Sequence, residues 1–295
     1  MKSKEFLELF IPPIIIKIWH RIKNGKVKLP ENPSTVKNIR KLCGSLVVIG
    51  NGPSLNETLK NQLDKVTAKD CIVVNSFCKT EYYEKIKPRL YLLADSAFFY
   101  EVSAMSERLK EVVYETLKYL ISKTTWDLNL VVPHMANGSY FINEVTKNPY
   151  IHVFYYNSID LSGSTEKAKY ELWDENLVPP PAQTCLNTCV WLGIFLRYKK
   201  LYIIGADTSW IEDLHVDQEN NMIYSIDKHF YGEKKIYLYS DVEGKIPQKL
   251  HEEINCISRA RSSYWELKEY ADYAGVEVYN ASAYSLIDAY ERSKV

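Results

Sequence analysis

The sequence predicts an α/β protein with a mostly parallel, doubly wound (Rossmann-like) sheet and a lid-like insertion after the sixth strand. Seven short apolar runs recur between residues 46 and 280, and longer amphipathic stretches separate them. Most of these runs are continuously apolar, as strands covered on both faces are. Strands that alternate with helices favour a parallel sheet with helices on both sides. The length of 295 residues and the 46% hydrophobic content suffice for one large domain of this kind.

Each apolar run is predicted to form one strand. In chain order the runs are LVVIG (46–50), CIVVN (71–75), LYLLAD (90–95), LNLVVP (128–133), YIHVFYY (150–156), LYIIGAD (201–207) and VEVYN (276–280). The amphipathic stretches predicted as helices include residues 106–122, 186–197 and 252–274. The last of these helices is expected to end at Gly275, because glycine readily adopts the left-handed conformation that terminates helices.

The segment before the first strand has a different character. Residues 10–16 are apolar, too short to span a bilayer, interrupted by Pro12 and Pro13, and followed by a basic cluster. Such a segment can lie in the headgroup layer of a membrane, or it can be a helix packed on the protein's own core. We therefore predict a basic, amphipathic membrane-association segment over residues 1–42. A single α/β domain would follow over residues 43–295, with its lid at about 208–250.

Composition restricts the class of protein. The 37 basic and 37 acidic residues balance, which argues against a dedicated nucleic-acid binder. The six cysteines include no CxxC pair and indicate a reducing compartment. The first apolar stretch lacks the cleavage site of a signal peptide. The expected location is therefore cytoplasmic and peripheral on the cytoplasmic membrane.

Short polar residues end or directly follow at least five of the predicted strands. They are Asn51, Gly52 and Ser54 after the first, Asn75 after the second, Asp95 after the third, Asp207 after the sixth, and Asn280 and Ser282 after the last. A single such residue is usually a turn residue. Because ligands of doubly wound sheets bind beyond the carboxyl ends of the strands, the convergence predicts a nucleotide-type site.

The first of these turns also has the sequence of a helix start. Ser54 and Glu57 match a capping box, and the glycines before them could leave amide groups open to a phosphate. The turn matches neither the dinucleotide fingerprint nor a Walker loop. Phosphate binding at this turn therefore stays one of two interpretations.

A histidine in the predicted lid is a candidate general base. His229 lies in the stretch HFYGE, after a long irregular segment of the kind that often forms lids. Near neutral pH a histidine can take a proton from an incoming hydroxyl, and His215 in the same segment is an alternative. No D-x-D acid motif is present, so no metal is expected, although Glu212, Asp213 and the acids of residues 241–243 could supply oxygen ligands.

These motifs, taken in order, resemble the bacterial sialyltransferases of glycosyltransferase family forty-two. The likeness consists of VVIGNGPSL, VVNSF, LRYKKLYIIGAD, HFYG and VEVYNAS, spread over residues 46–287. It implies a CMP-linked sialic acid donor, no metal cofactor, and inversion at the anomeric carbon. An arginine that the family has before its donor-site helix is missing from PPPAQTCLNTCVW. Related CMP-Kdo transferases, in which a carboxylate such as Asp207 attacks the sugar, are therefore a close alternative.

The resemblance also implies a role for each matched residue. Asn51 and Ser54 would contact the nucleotide and phosphate, Asn75 and Asp95 the donor, and Asn280 and Ser282 the cytosine. Residues 184–188, with Thr184, Asn187 and Thr188, would approach the donor sugar, and His229 would be the base. Candidate donors to the leaving phosphate are Tyr224 and Tyr231.

The predicted function is that of a glycosyltransferase. It would move an acidic sugar, sialic acid-like or Kdo-like, from a CMP-sugar to a glycan or glycolipid acceptor of the bacterial surface, as in lipopolysaccharide or capsule biosynthesis. A pterin-type diphosphokinase-like enzyme, which would need Mg²⁺, and a non-catalytic glycan-assembly protein are the alternatives. The expected partners are the donor, the acceptor and the inner-membrane surface, with no nucleic acid. The oligomeric state is left open, and an oligomer is possible.

Overall fold

The computed structural model describes residues 34–40, 44–157, 166–176, 184–230, 232–241 and 243–295. The strands of its main sheet are β1 (Ser45–Ile49), β2 (Asp70–Val74), β3 (Leu90–Leu92), β4 (Leu128–Pro133), β5 (Ile151–Tyr156), β6 (Lys200–Ile204), β10 (Glu277–Asn280) and β11 (Glu291–Arg292). These eight strands are parallel and lie in the order β11-β10-β6-β1-β2-β3-β4-β5. The predicted α/β class and the seven predicted strands are confirmed, and β11 is a short addition at the edge.

The described helices connect and cover these strands. They are α1 (Leu55–Thr67), α2 (Tyr82–Ile86), α3 (Glu107–Lys123), α4 (Tyr140–Val145), α5 (Glu166–Asp174), α6 (Cys185–Phe195) and α7 (Leu250–Ala274). Gly275 ends α7 in the left-handed conformation, with φ 68°, as predicted. No helix in the described residues is long and apolar enough to cross a membrane.

Strand β1 lies at the centre of the sheet because both of its faces are apolar. Residues 46–49 are fully buried, and their side chains alternate between the two faces. Leu46 and Val48 belong to the hydrophobic cluster on one side of the sheet, while Val47 and Ile49 belong to the cluster on the other. Helices thus cover both faces, which is what a continuously apolar strand requires.

The insertion after β6 contains a second sheet, which is antiparallel. Its strands are β7 (Leu214–Val216), β8 (Ile223–His229) and β9 (Gly232–Tyr237), with β8 in the middle. His229 pairs with Gly232 at one end of the sheet, and Tyr224 pairs with Tyr237 towards the other. The predicted lid-like insertion is confirmed, and the last residue of its middle strand, β8, is the candidate base.

Residues 34–40 pack as part of the α/β domain. Val36 and Ile39 are buried in the core, Thr35 bridges to Tyr155, and the Ser34 carbonyl accepts a hydrogen bond from Tyr155 N. Residues 34–40, which the sequence assigns to the membrane-association segment of residues 1–42, therefore pack with the α/β domain. The rest of the proposed membrane segment, residues 1–33 and 41–42, lies outside the described residues.

Candidate active site

The turns after β1 and β6 are in direct contact. Gly50 N donates to the Ile204 carbonyl, and Gly52 N donates to the Gly205 carbonyl, both at 2.8 Å. A side chain at Gly52 would overlap both the Asp207 carboxylate and the Gly205 carbonyl. Glycine is required at this position because two backbones approach each other, and the contact holds the two strand ends together.

Asp207 binds the start of helix α1. Its Oδ1 accepts a hydrogen bond from Ser54 N at 3.0 Å, and its Oδ2 accepts one from Ser54 Oγ at 2.6 Å. Asp207 is only 6% exposed, and this burial raises the pKa of its carboxyl group above the usual 3.8, while the hydrogen bonds from Ser54 act in the opposite direction. The carboxylate therefore caps the helix from a neighbouring strand end.

The predicted capping box is wrong for this reason. The Ser54 side chain makes no capping bond within its own helix, since its hydroxyl donates to Asp207. The amides of Gly52, Ser54, Leu55 and Asn56 all have acceptors within the chain. This turn consequently offers a phosphate fewer amide donors than the sequence indicates.

Asn51 occupies the centre of the junction. It is 8% exposed, its Nδ2 donates to the Val74 carbonyl at 3.3 Å, and its buried Oδ1 has no hydrogen-bond partner among the described residues. The Asn51 carbonyl accepts hydrogen bonds from Phe230 N at 3.0 Å and from His229 Nδ1 at 3.3 Å. One residue thus joins β1, the end of β2 and the lid.

The contact with Asn51 selects the tautomer of His229. A carbonyl oxygen can only accept, so Nδ1 must carry the hydrogen, and in the neutral ring the lone pair is on Nε2. Phe230 strengthens the attachment, because its carbonyl accepts from Asn56 Nδ2 at 2.7 Å and its ring lies 6.0 Å from that of Phe77. The histidine is thus held at the carboxyl end of the sheet.

Helix α6 begins at the same edge. Thr184 is its N-cap, accepting from Asn187 N at 3.3 Å, and Cys185 Sγ contacts Asn75 Oδ1 at 3.2 Å. Asn187 and Thr188 are fully buried, and Asn187 Nδ2 has no partner among the described residues. Burial, helped by the nearby Asp95, raises the pKa of the Cys185 thiol to about 11, so the thiol stays neutral near pH 7.

Asp95 and the last-strand residues are less directly involved. Asp95 is exposed, and its Oδ1 accepts from Ala97 N. Asn280 donates to the Ile287 carbonyl, and Ser282 bridges to β6 by accepting from Ala206 N and donating to the Ile203 carbonyl. The side chains of Asn280 and Ser282 thus bind backbone groups that hold the end of the sheet together.

Tyr224, one of the two candidate phosphate donors of the lid, lies in a separate aromatic cluster. Tyr224 stacks on His215 with ring centroids 5.2 Å apart, and Lys235 Nζ lies 4.0 Å from the centroid of its ring. Tyr224 precedes His229 by five residues on β8, which is about 16 Å along an extended strand. His215, the alternative base, lies in this separate aromatic cluster. Tyr231 lies outside the described residues.

Sequence reasoning missed Arg261. This helix α7 residue donates from Nη1 to Thr208 Oγ1 at 3.1 Å and from Nη2 to the Thr208 carbonyl at 2.6 Å. Thr208 has a positive φ of 49°, which is uncommon outside glycine, so the arginine stabilises the bend by which the chain leaves β6. A long-range contact of this kind leaves no local signal in the sequence.

The acids considered as oxygen ligands have protein partners. Asp213 pairs with Lys228 at 2.5 Å, Glu212 accepts from Tyr284 Oη at 2.7 Å, and Asp241 accepts from Lys245 N at 3.1 Å. Among the residues that the structure describes, no group of three histidine, cysteine or acidic side chains is placed to hold a metal ion.

Comparison with known proteins identifies the fold. No family model and no curated protein matches the chain. The MAf glycosyltransferase of Magnetospirillum magneticum AMB-1 superposes with a TM-score of 0.50 and 11% identity over 90% of this chain, which spans only 35% of that protein. Two structures of sialyltransferase CstII from Campylobacter jejuni also superpose on this chain, each with 15% identity over 84% of it. The structure in complex with CMP-3FNeuAc has a TM-score of 0.41 and is covered over 85% of its length. The structure in complex with cytidine-5'-monophosphate has a TM-score of 0.42 and is covered over 84%.

Proposed function

We propose that this protein is a glycosyltransferase that moves an acidic sugar from a CMP-sugar donor to the hydroxyl of a glycan acceptor, without a metal. The single observation that carries the proposal is the contact between His229 and Asn51. It joins the candidate base to the turn where a doubly wound sheet binds its ligands. The motif resemblance supports CMP as the nucleotide, and the fold shared with a glycosyltransferase is compatible with this activity.

In the proposed reaction His229 is the general base. The acceptor hydroxyl attacks the anomeric carbon, and its proton moves to Nε2 of His229, the nitrogen with the lone pair. The bond between the anomeric carbon and the phosphate oxygen breaks, and CMP leaves with the electron pair. Attack from the face opposite CMP inverts the configuration at the anomeric carbon. Protonated His229 keeps Nδ1–H on the Asn51 carbonyl, so the ring need not rotate during the transfer.

The donor is proposed to lie between β1, β2 and the start of α6. Asn51 Oδ1 and Asn187 Nδ2 are buried there without partners among the described residues, and each would gain a hydrogen bond from a polar ligand. The N-terminus of α6 carries a partial positive charge, which favours a phosphate or a sugar carboxylate. Asn75, in contact with Cys185, would bind the donor beside it.

Asp207 is the alternative catalytic group, for a retaining reaction. Its two oxygens already accept hydrogen bonds from Ser54, and a nucleophile would have to give up at least one of them. A buried carboxylate that organises two turns is better suited to a structural role. We therefore propose His229 as the base, and inversion as the stereochemical outcome.

The test combines nucleotide binding with transfer. At a hundred times its dissociation constant, CMP stabilises the fold by about 2.7 kcal/mol, so thermal melting with CMP, UDP, GDP and ATP should single out CMP, with EDTA present. His229→Ala should retain the CMP shift and lose transfer from a CMP-sugar by a factor of about 10² to 10⁴. His215→Ala is the matched control and should retain both.

Two results would contradict the proposal. A melting shift with UDP or ATP but not with CMP would exclude the donor class. A covalent sugar adduct on Asp207, detected by intact-protein mass spectrometry after incubation with donor alone, would show a retaining reaction and remove His229 from its role.

A further inference from the structure

A cleft of about 440 Å³ opens between the lid sheet and helix α7, and is here called the lid cleft. Its volume is in the range of small-molecule sites, about 300–1,000 Å³. The floor is apolar, and polar side chains stand around it. The floor consists of Leu109, Leu214, Ile236, Leu238, Ile257 and Ala260. The lid cleft is separate from the proposed donor site, which lies at Asn51 and Asn75.

The lining of the lid cleft suits the surface of a sugar. Trp210 and Tyr239 line it and are each 39% exposed, so their aromatic surfaces are accessible to a ligand. Arg108, Asp241 and Glu253 supply hydrogen-bond donors and acceptors beside these rings. A pyranose presents an apolar face and a rim of hydroxyls, so it can cover a ring and bind these polar groups together.

The pleat of β8 connects the lid cleft to the candidate base. Ser225 lines the cleft and lies opposite Leu214 on one neighbouring strand and Ile236 on the other. Side chains alternate along a strand, so residues 225 and 229 lie on the same face of the lid sheet. Four residues separate them, about 13 Å along the strand. This is a length that two or three linked sugars can span.

The charges around the lid cleft favour a neutral occupant. Two carboxylates, Asp241 and Glu253, and one guanidinium, Arg108, line it. Glu253 accepts a hydrogen bond from Gln248 Nε2 at 2.7 Å and can accept another from a hydroxyl. An anionic glycan would face a surplus of negative charge here, whereas a neutral glycan would not.

We propose that the lid cleft binds the acceptor, a neutral oligosaccharide whose terminal hydroxyl reaches His229 along the face of the lid sheet. The proposal rests on the glycosyltransferase function proposed above and adds the acceptor class and its location. Trp210 and Tyr239 hold the apolar faces of the sugars, and Glu253 orients a hydroxyl.

A cysteine in the lid cleft allows a direct test. Cys256 lines the cleft, is partly exposed and is a free thiol, whereas Cys71, Cys78 and Cys189 are buried. The full chain is treated with iodoacetamide, and peptide mass spectrometry follows the alkylation of Cys256. The probes are lactose, N-acetyllactosamine and cellotriose, each with and without CMP, and sialyllactose as an anionic comparison. At about ten times its dissociation constant, a neutral oligosaccharide should slow the alkylation about tenfold.

Substitutions identify the site of protection. Trp210→Ala and Glu253→Gln should each raise the dissociation constant of the protecting oligosaccharide about tenfold or more, as expected for residues at the centre of an interface. Trp265→Ala is the control, because Trp265 lies on helix α7 together with Glu253, is 49% exposed and does not line the cleft. Thermal melting of each variant verifies that it is folded.

The outcomes separate this inference from the donor proposal. If no neutral oligosaccharide protects Cys256 with or without CMP, or if sialyllactose protects equally well, the inference is overturned, whatever the melting shift with CMP. If Trp210→Ala and Trp265→Ala behave alike, the lid cleft is not the binding site. Protection of Cys256 together with no melting shift from CMP would retain the cleft as a glycan site and refute the CMP donor.

Discussion

At the scale of single residues, the bridge between Asp207 and Ser54 has the clearest measurable effect. Asp207→Ala leaves the buried Ser54 amide without an acceptor and leaves the Ser54 hydroxyl only the Tyr284 carbonyl, at 3.3 Å. It should lower the free energy of unfolding by about 1–3 kcal/mol. Asp207→Asn can still accept from the amide and should lose less. Urea denaturation measures both. Equal losses in the two variants would show that the hydrogen bonds are not the cause.

The same carboxyl group should make stability depend on pH. Burial raises its pKa in the folded state above 3.8, so the folded protein holds the proton to higher pH than the unfolded chain. The contribution of Asp207 to the free energy of unfolding is therefore fully present below pH 3.8 and is lost as pH rises through the raised pKa. The difference between wild type and Asp207→Asn should fall over this window and be constant above it. A difference that rises with pH would contradict the direction of the shift.

Single residues also show where sequence reasoning is limited. The polar strand ends at Asn51 and Asn75 are predictable, because the polar residue follows directly on an apolar run. The partner of Ser54 is not, since Glu57 is local and Asp207 is 153 residues away. The roles proposed for Asn280 and Ser282 were drawn from a resemblance, whereas the structure shows their hydrogen bonds to backbone groups.

At the scale of secondary-structure elements, the lid is attached to the sheet by His229, the last residue of β8, and by Phe230 after it. Phe230→Ala removes an aromatic contact with Phe77 and Tyr82 but keeps the backbone bond to Asn51. We expect the position of His229 to loosen, so that transfer falls at least tenfold while CMP still shifts the melting temperature. Transfer assays and thermal melting with CMP measure the two effects.

Tyr224→Phe is the control for this element. Tyr224 lies on the same strand, but its described contacts are with His215, Lys235 and Tyr237. Its substitution should leave transfer nearly unchanged. A large loss would instead support the prediction from the sequence that this hydroxyl stabilises the leaving phosphate.

The elements themselves are predictable to a large extent, for a physical reason. The strands are buried on both faces and read as apolar runs, and helix α7 ends at a glycine that adopts a positive φ. The edge strand β11 could not be predicted, because two exposed residues carry no hydrophobic pattern. The lid cleft could not be predicted either, because it forms between elements that are distant in sequence.

At the scale of the whole molecule, residues 34–40 extend the domain beyond its predicted start. A chain that begins at residue 34 keeps Val36 and Ile39 in the core and should melt like the full chain. A chain that begins at residue 43 loses both side chains, each worth about 1.5–3 kcal/mol of burial, and should melt at a lower temperature. Equal melting of the two truncated chains would show that the segment does not stabilise the fold.

The same pair of truncations tests the predicted membrane segment. Both lack residues 10–16 and the basic cluster around residue 23, so both should lose the binding to anionic vesicles that the full chain is predicted to show. Sedimentation with vesicles measures the binding. Retention of binding by the chain that begins at residue 34 would place the membrane contact elsewhere.

The position of β1 affects how the protein is made on the ribosome. Its partner on one side, β2, follows within 25 residues, but its other partner, β6, is synthesised about 150 residues later. At 5–20 residues per second, one edge of this strand, apolar from Leu46 to Ile49, stays unpaired for roughly 8–30 s. Exposed edges of this kind promote association between chains. Before β6 is synthesised, the nascent chain is therefore an aggregation-prone intermediate with one edge of β1 unpaired. The yield of native protein should depend on chaperones that shield this edge until β6 emerges.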